Sequence, residues 1–140
     1  QYNWLDHSDN HLLNSGAEEN PEKTEYDPCP DGWRVPTESE YSSLHSMCRT
    51  RQLIYNDDVL GYLLKGEKSS LEYYPEIFFP LTGYNDLPGD LGLLSRGRDW
   101  YGYYMTSTVI YDGSYATYSP EGGYSAALKM SANPIRCVQE

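Results

Sequence analysis

The stretch DPCPDGWRVPTESE, residues 27–40, sets Cys29 between two prolines and then runs Gly32, Trp33 and Arg34 into a third proline, Pro36. Pro36 biases the residue before it to extended backbone, so a helix cannot start earlier. Thr37 followed by Glu40 is a capping box, in which the threonine oxygen accepts an early helix N–H and the glutamate returns to the N–H of the cap. Beyond it Tyr41, Leu44, Met47 and Cys48 recur at helical spacing and predict one buried helix face. In so rigid a turn Trp33 reads as a core anchor, its indole N–H on a backbone carbonyl, rather than as a ligand platform. Arg34 then points outward or pairs with a carboxylate.

Working outward from that helix, a second, weaker one is expected from about Asp57 to Lys65, with Asn56 or Asp57 as cap and Gly66 past its end. Gly61 inside it counts against it. From Glu76 the pattern turns to strands: IFFPL at 77–81, YYMTSTVIY at 103–111, SYATY at 114–118, YSAALKM at 124–130 and IRCVQ at 135–139. YDGS and SPEGG carry the residues of turns between antiparallel strands. Residues 83–99 hold too many breakers for regular structure, and a loop that long is often functional. Helices first and an antiparallel sheet after them make an α+β arrangement.

The chain has 140 residues and a formal charge of −11. The length suits one domain, taken as residues 26–140, and the charge argues against nucleic acid, since its ten Lys and Arg are too few for phosphate binding. An anionic membrane surface is disfavoured on the same ground. Residues 1–25 form an acidic N-terminal arm expected to lie on the domain. No apolar run spans a bilayer, and the first residues have neither the basic start nor the apolar centre of a signal peptide. Three cysteines, Cys29, Cys48 and Cys137, allow one disulfide in three pairings, with no zinc spacing.

Residues 27–37, with GYYMTST at 102–108 and PIRCVQE at 134–140, resemble the Fibrobacter succinogenes major paralogous domain family of surface and secreted proteins in Bacteroidetes-type bacteria. Its pattern is a DPCP-x-GWRVPT block, a helix, a Gly-rich middle, a YWSS(S/T) strand and a closing RCV strand. Met105 stands where tryptophan is usual. The resemblance implies a C-type lectin-like fold, one or two helices flanking a small twisted antiparallel sheet with long loops. It also implies an extracellular or cell-surface setting and a Cys29–Cys137 disulfide joining the first and last blocks, which would stabilise by about 4–5 kcal/mol in the chain-entropy model.

Cys48, on the predicted helix face, reads as a small core hydrophobe. DHSDNH offers Asp6, His7, Asp9 and His11, but without helix signals or a third anchored ligand these read as solvated. No cofactor is expected; calcium in the 83–99 loop, through Asn85, Asp86 and Asp90, is the weaker alternative. No nucleophile elbow, phosphate loop or metalloprotease motif occurs, so an enzyme is not expected and a hydrolase is the least favoured class. Tyrosine interleaved with small polar residues favours binding surfaces, because each ring offers large contact area at low entropy cost. The expected ligand-binding set is Arg96, Arg98, Trp100, Tyr101, Tyr103, Tyr111, Asp112, Tyr115 and Tyr118. The expected role is an adhesion or binding module for a glycan or a surface protein, with late strands of the kind that variable receptors diversify. A tip or stalk domain of a surface assembly is the alternative.

Overall fold

The computed structural model describes residues 11–66, 76–83, 102–111, 114–128 and 133–140. Trp33–Arg34 is a short strand, β1, and Thr37 then opens helix α1, Glu38–Met47, with both halves of the capping box formed. The chain leaves the helix directly into β2, Cys48–Tyr55, and returns as β3, Asp58–Gly66. After β4, Glu76–Pro80, come β5, Tyr104–Tyr111, β6, Ser114–Ser119, β7, Gly123–Leu128, and β8, Val138–Gln139. The strands pair antiparallel in three sheets, of order β1-β8, β2-β3-β4 and β5-β6-β7.

The α+β, C-type lectin-like expectation is therefore corrected. Strand makes up 51% of the structure and helix 11%, and the described residues hold one helix and three small sheets in place of a single flanked sheet. The cause lies at residues 56–66. Asn56 and Asp57 both take positive φ, 49° and 67°, and so close a two-residue hairpin instead of capping a helix. Short polar side chains tolerate that left-handed region, and two such residues match the twist of paired strands. The expected helix over 57–65 is thus strand β3, with Tyr62 and Leu64 buried at period two. Gly61 faces Pro80 on β4, where an added Cβ would lie 2.8 Å from the Pro80 Cα. A strand glycine at such a close approach is a packing requirement.

Two cores hold the sheets together. Tyr41 of α1 packs with Tyr62 and Leu64 of β3, Phe79 of β4, Tyr104 of β5 and Tyr118 of β6. Tyr41 and Tyr118 stack at 4.6 Å, and Phe79 meets Tyr104 edge-on at 4.9 Å. The second core joins Leu13, Cys29, Val35, Met105 and Tyr115. Beside it the Cys29–Cys137 disulfide closes a separation of 108 residues.

Three further expectations change at this level. Trp33 is not a core anchor: it is 42% exposed, because β1 pairs with β8 in a two-stranded ribbon and Val35 and Pro36 fill the interior. Met47 is 63% exposed, outside the expected helix face. Cys48 packs against the first core as a half-buried cysteine outside the disulfide, from the start of β2 and not from the helix. No helix among the described residues is long and apolar enough to cross a membrane.

Candidate functional site

Local order around residues 11–40 begins with Asp27, whose side chain is fully buried. One carboxylate oxygen accepts the Cys29 N–H and the other the Val35 N–H, both at 2.8 Å. Lys23 enters the same turn and donates to the carbonyls of Cys29, Pro30 and Trp33, the last two at 2.9 and 2.7 Å. A loop rich in proline has few donors of its own, and these two side chains satisfy its polar groups. Arg34 takes the carboxylate alternative, gripping Glu40 through both nitrogens at 2.7 and 2.5 Å. That bidentate hydrogen bond, with the N–H of Thr37, holds the Glu40 carboxyl below the ordinary glutamate range against the opposing effect of burial.

Residues 14–23 double back as a small hairpin bridged at Asn14–Lys23 and Ala17–Asn20. Leu12 and Leu13 are buried, and the Asn14 side-chain oxygen accepts the N–H groups of Gly16 and Glu22 at 2.9 and 2.8 Å. Glu18 then reaches across to the domain. It accepts the Ser39 N–H at 3.0 Å and the Thr108 hydroxyl at 2.7 Å, so one carboxylate links the first turn of α1 to β5. An acidic side chain is favoured there because the first N–H groups of a helix have no partner within it.

Between this hairpin and the outer half of β5 runs an open groove of about 310 Å³. His11, Asn14, Gly16 and Glu18 form one wall, and Ser107 to Tyr111 the other. At its end Ile110 is 42% and Tyr111 60% exposed. The β5–β6 register shifts on both sides of Val109, and the Ser107 N–H bonds the Pro36 carbonyl at 2.8 Å. Those bulges turn this end of β5 away from regular pairing and present its side chains. The groove offers an amide, an imidazole and one projecting phenol ring. With polar groups on both walls and Val109 and Ile110 among them on β5, it is suited to holding a ligand by hydrogen bonds, apolar contact and one stacking face.

Of the described members of the expected ligand-binding set, Tyr111 is the one that lines this groove. Tyr115 and Tyr118 are corrected: each is 1% exposed, because β6 is the middle strand of its sheet and both of its faces are covered. Tyr118 also meets the His45 ring nitrogen through its hydroxyl at 3.0 Å. Tyr103 is half-buried beside β5. Arg96, Arg98, Trp100, Tyr101 and Asp112 lie outside the described residues, as do Asp6, His7, Asp9, Asn85, Asp86 and Asp90. Asn14, Glu18 and Thr108 escaped sequence reasoning. Their one signal was indirect, since a lone acidic hairpin ahead of a capped helix has a helix start within reach. No family model, curated protein or solved structure matches this chain.

Proposed function

We propose that the chain is an extracellular binding module without catalytic activity, which recognises a glycan or a protein surface, a glycan being the better fit to its groove. The observation that carries this reading is Tyr111, 60% exposed at the end of a groove whose lining mixes the polar His11, Asn14, Glu18, Ser107 and Thr108 with the apolar Val109 and Ile110. A sugar has apolar ring faces that stack on a phenol and hydroxyls that exchange hydrogen bonds with amide and hydroxyl groups. Mixed lining of this kind suits it better than an all-apolar slot would. The disulfide supports an oxidising compartment. The likeness of residues 27–37 and 134–140 to the surface-protein family supports the same placement. Arg96, Arg98, Trp100, Tyr101 and Asp112 remain sequence candidates for further contacts to the same ligand.

The test is a glycan array followed by calorimetric titration of the best binder. Tyr111→Ala is expected to weaken binding by about tenfold or more, the loss typical of an exposed aromatic anchor, with an unchanged melting temperature. Binding that survives Tyr111→Ala undiminished would sink the groove as the site. Capture of a protein and no glycan selects the protein reading, and no ligand of either kind favours a tip or stalk domain.

A further inference from the structure

The hairpin of residues 14–23 is fixed at its root, and among the described residues its tip bonds the domain through one side chain. At the root Leu12 and Leu13 are buried, Asn14 bridges Lys23, and Lys23 donates to the carbonyls of Cys29, Pro30 and Trp33. The Thr24 hydroxyl adds a bond to the Leu12 carbonyl. Toward the tip Ser15, Ala17, Glu19 and Asn20 are exposed, while Glu18 among them is half-buried.

Glu18 reaches two other elements at once. Its carboxylate accepts the Ser39 N–H of α1 at 3.0 Å and the Thr108 hydroxyl of β5 at 2.7 Å. That hydroxyl in turn accepts the Glu38 N–H at 2.8 Å, so hairpin, strand and helix start meet at one point. Around the point the tip stands clear of its neighbours. Depressions of about 320 and 580 Å³ separate it from α1, the groove of about 310 Å³ separates it from β5, and Glu18 lines all three. Where open space takes the place of apolar packing, local stability is low, and the charge-assisted bonds of the carboxylate decide where the tip stands.

We propose that Glu18 is the positioning residue of the groove. Seated between Ser39 and Thr108, its carboxylate sets the separation of the hairpin from β5; released, it lets the tip turn about its root and the groove widen. Glu18 and Thr108 belong to opposite walls, so the bond between them ties the walls together. A ligand that touches both walls binds best when they already stand at the right separation, because ordering them on binding costs affinity. The effect on a ligand rests on the reading of the groove as the binding site, whereas the wall separation is measurable on the chain alone.

The separation is read by electron–electron distance measurement between nitroxides on Ala17→Cys and Ser125→Cys, in a Cys48→Ala background. The second label lies on β7, in the same sheet as β5. One narrow distance is expected in the parent chain. Glu18→Ala and Thr108→Val should each lengthen and broaden it with the chain still folded by circular dichroism, and Thr108→Ser, which keeps the hydroxyl, should leave it narrow. The double variant should be no broader than either single one, since both remove the same bond. A distance unchanged by Glu18→Ala and Thr108→Val overturns the proposal, as do additive effects in the double variant. With the best binder of the glycan array, Glu18→Ala and Thr108→Val should each lower affinity by about tenfold, and Thr108→Ser should not. A widened groove with unchanged affinity, for a ligand that Tyr111→Ala weakens, makes Glu18 a strut of the hairpin and overturns its positioning role. Binding indifferent to Tyr111→Ala fails the groove reading instead, and the distances then decide the role of Glu18 by themselves.

Discussion

Asp27 is the buried polar centre of the 27–40 turn. Its two oxygens each accept a backbone N–H at 2.8 Å, from Cys29 and from Val35, in a site without water access to the side chain. Asp27→Asn keeps the shape but turns one acceptor into a donor, so that an amide faces a buried N–H. The expected loss is about 3 kcal/mol, read from urea unfolding at neutral pH, because a buried group loses its partner while the Lys23 ammonium loses its counter-charge. A loss below roughly 1 kcal/mol would mean that the turn is held by its prolines alone. The capping box was legible at this scale, since it depends on neighbours in sequence, and for Arg34 pairing with a carboxylate was one of two open alternatives. The exposure of Trp33 was not, because whether an aromatic faces in or out of a ribbon depends on what pairs with it, and β8 lies some hundred residues away.

At the scale of elements, the strands from Glu76 onward were readable from turn residues and alternation, and the hairpin of β2 and β3 was not. Leu60, Leu63 and Leu64 fit a helical spacing as well as a strand, and Asp57 fits both a helix cap and a left-handed turn. What decides between them is tertiary: β3 is the middle strand, and its Gly61 lets Phe79 and Pro80 come close. Gly61→Ala is therefore expected to destabilise by about 1–3 kcal/mol, since the added methyl meets backbone atoms that cannot move without breaking the β3–β4 register. Gly123→Ala, with nothing within 4 Å of the new Cβ, serves as the control and should stay within roughly 0.5 kcal/mol. Equal effects in thermal unfolding of the two variants would remove the close approach as the reason for Gly61. The candidate site divides in the same way. Tyr111 was legible as a turn-flanking aromatic, whereas Tyr115 and Tyr118 look alike in sequence and are buried only because β6 lies between two strands.

Over the whole molecule, the tyrosines that the composition offered as binding surface are in part the core itself. Tyr41, Tyr62, Tyr104 and Tyr118 join the helix to both three-stranded sheets, a role that Leu and Ile fill in most proteins. A phenolic core has a polar tip on every ring, and the Tyr104 hydroxyl donates to the Pro80 carbonyl at 2.8 Å, tying β5 to β4. Burial pushes the Tyr104 phenol up to about 12, and burial raises Tyr41 as well. Both groups hold their proton more tightly folded than unfolded. Their contribution is fully present below the ordinary tyrosine value near 10 and is lost as pH rises through the folded values. Stability to urea, measured with Cys48 alkylated to prevent disulfide exchange, should thus fall steeply between about pH 10 and 12. Tyr104→Phe should cost about 1 kcal/mol at neutral pH through the lost hydrogen bond, and should flatten the alkaline fall because one titrating group has gone. Identical alkaline profiles in the variant and the parent chain would show that the core does not feel the Tyr104 proton, and that the joining of the two sheets rests on ring packing alone.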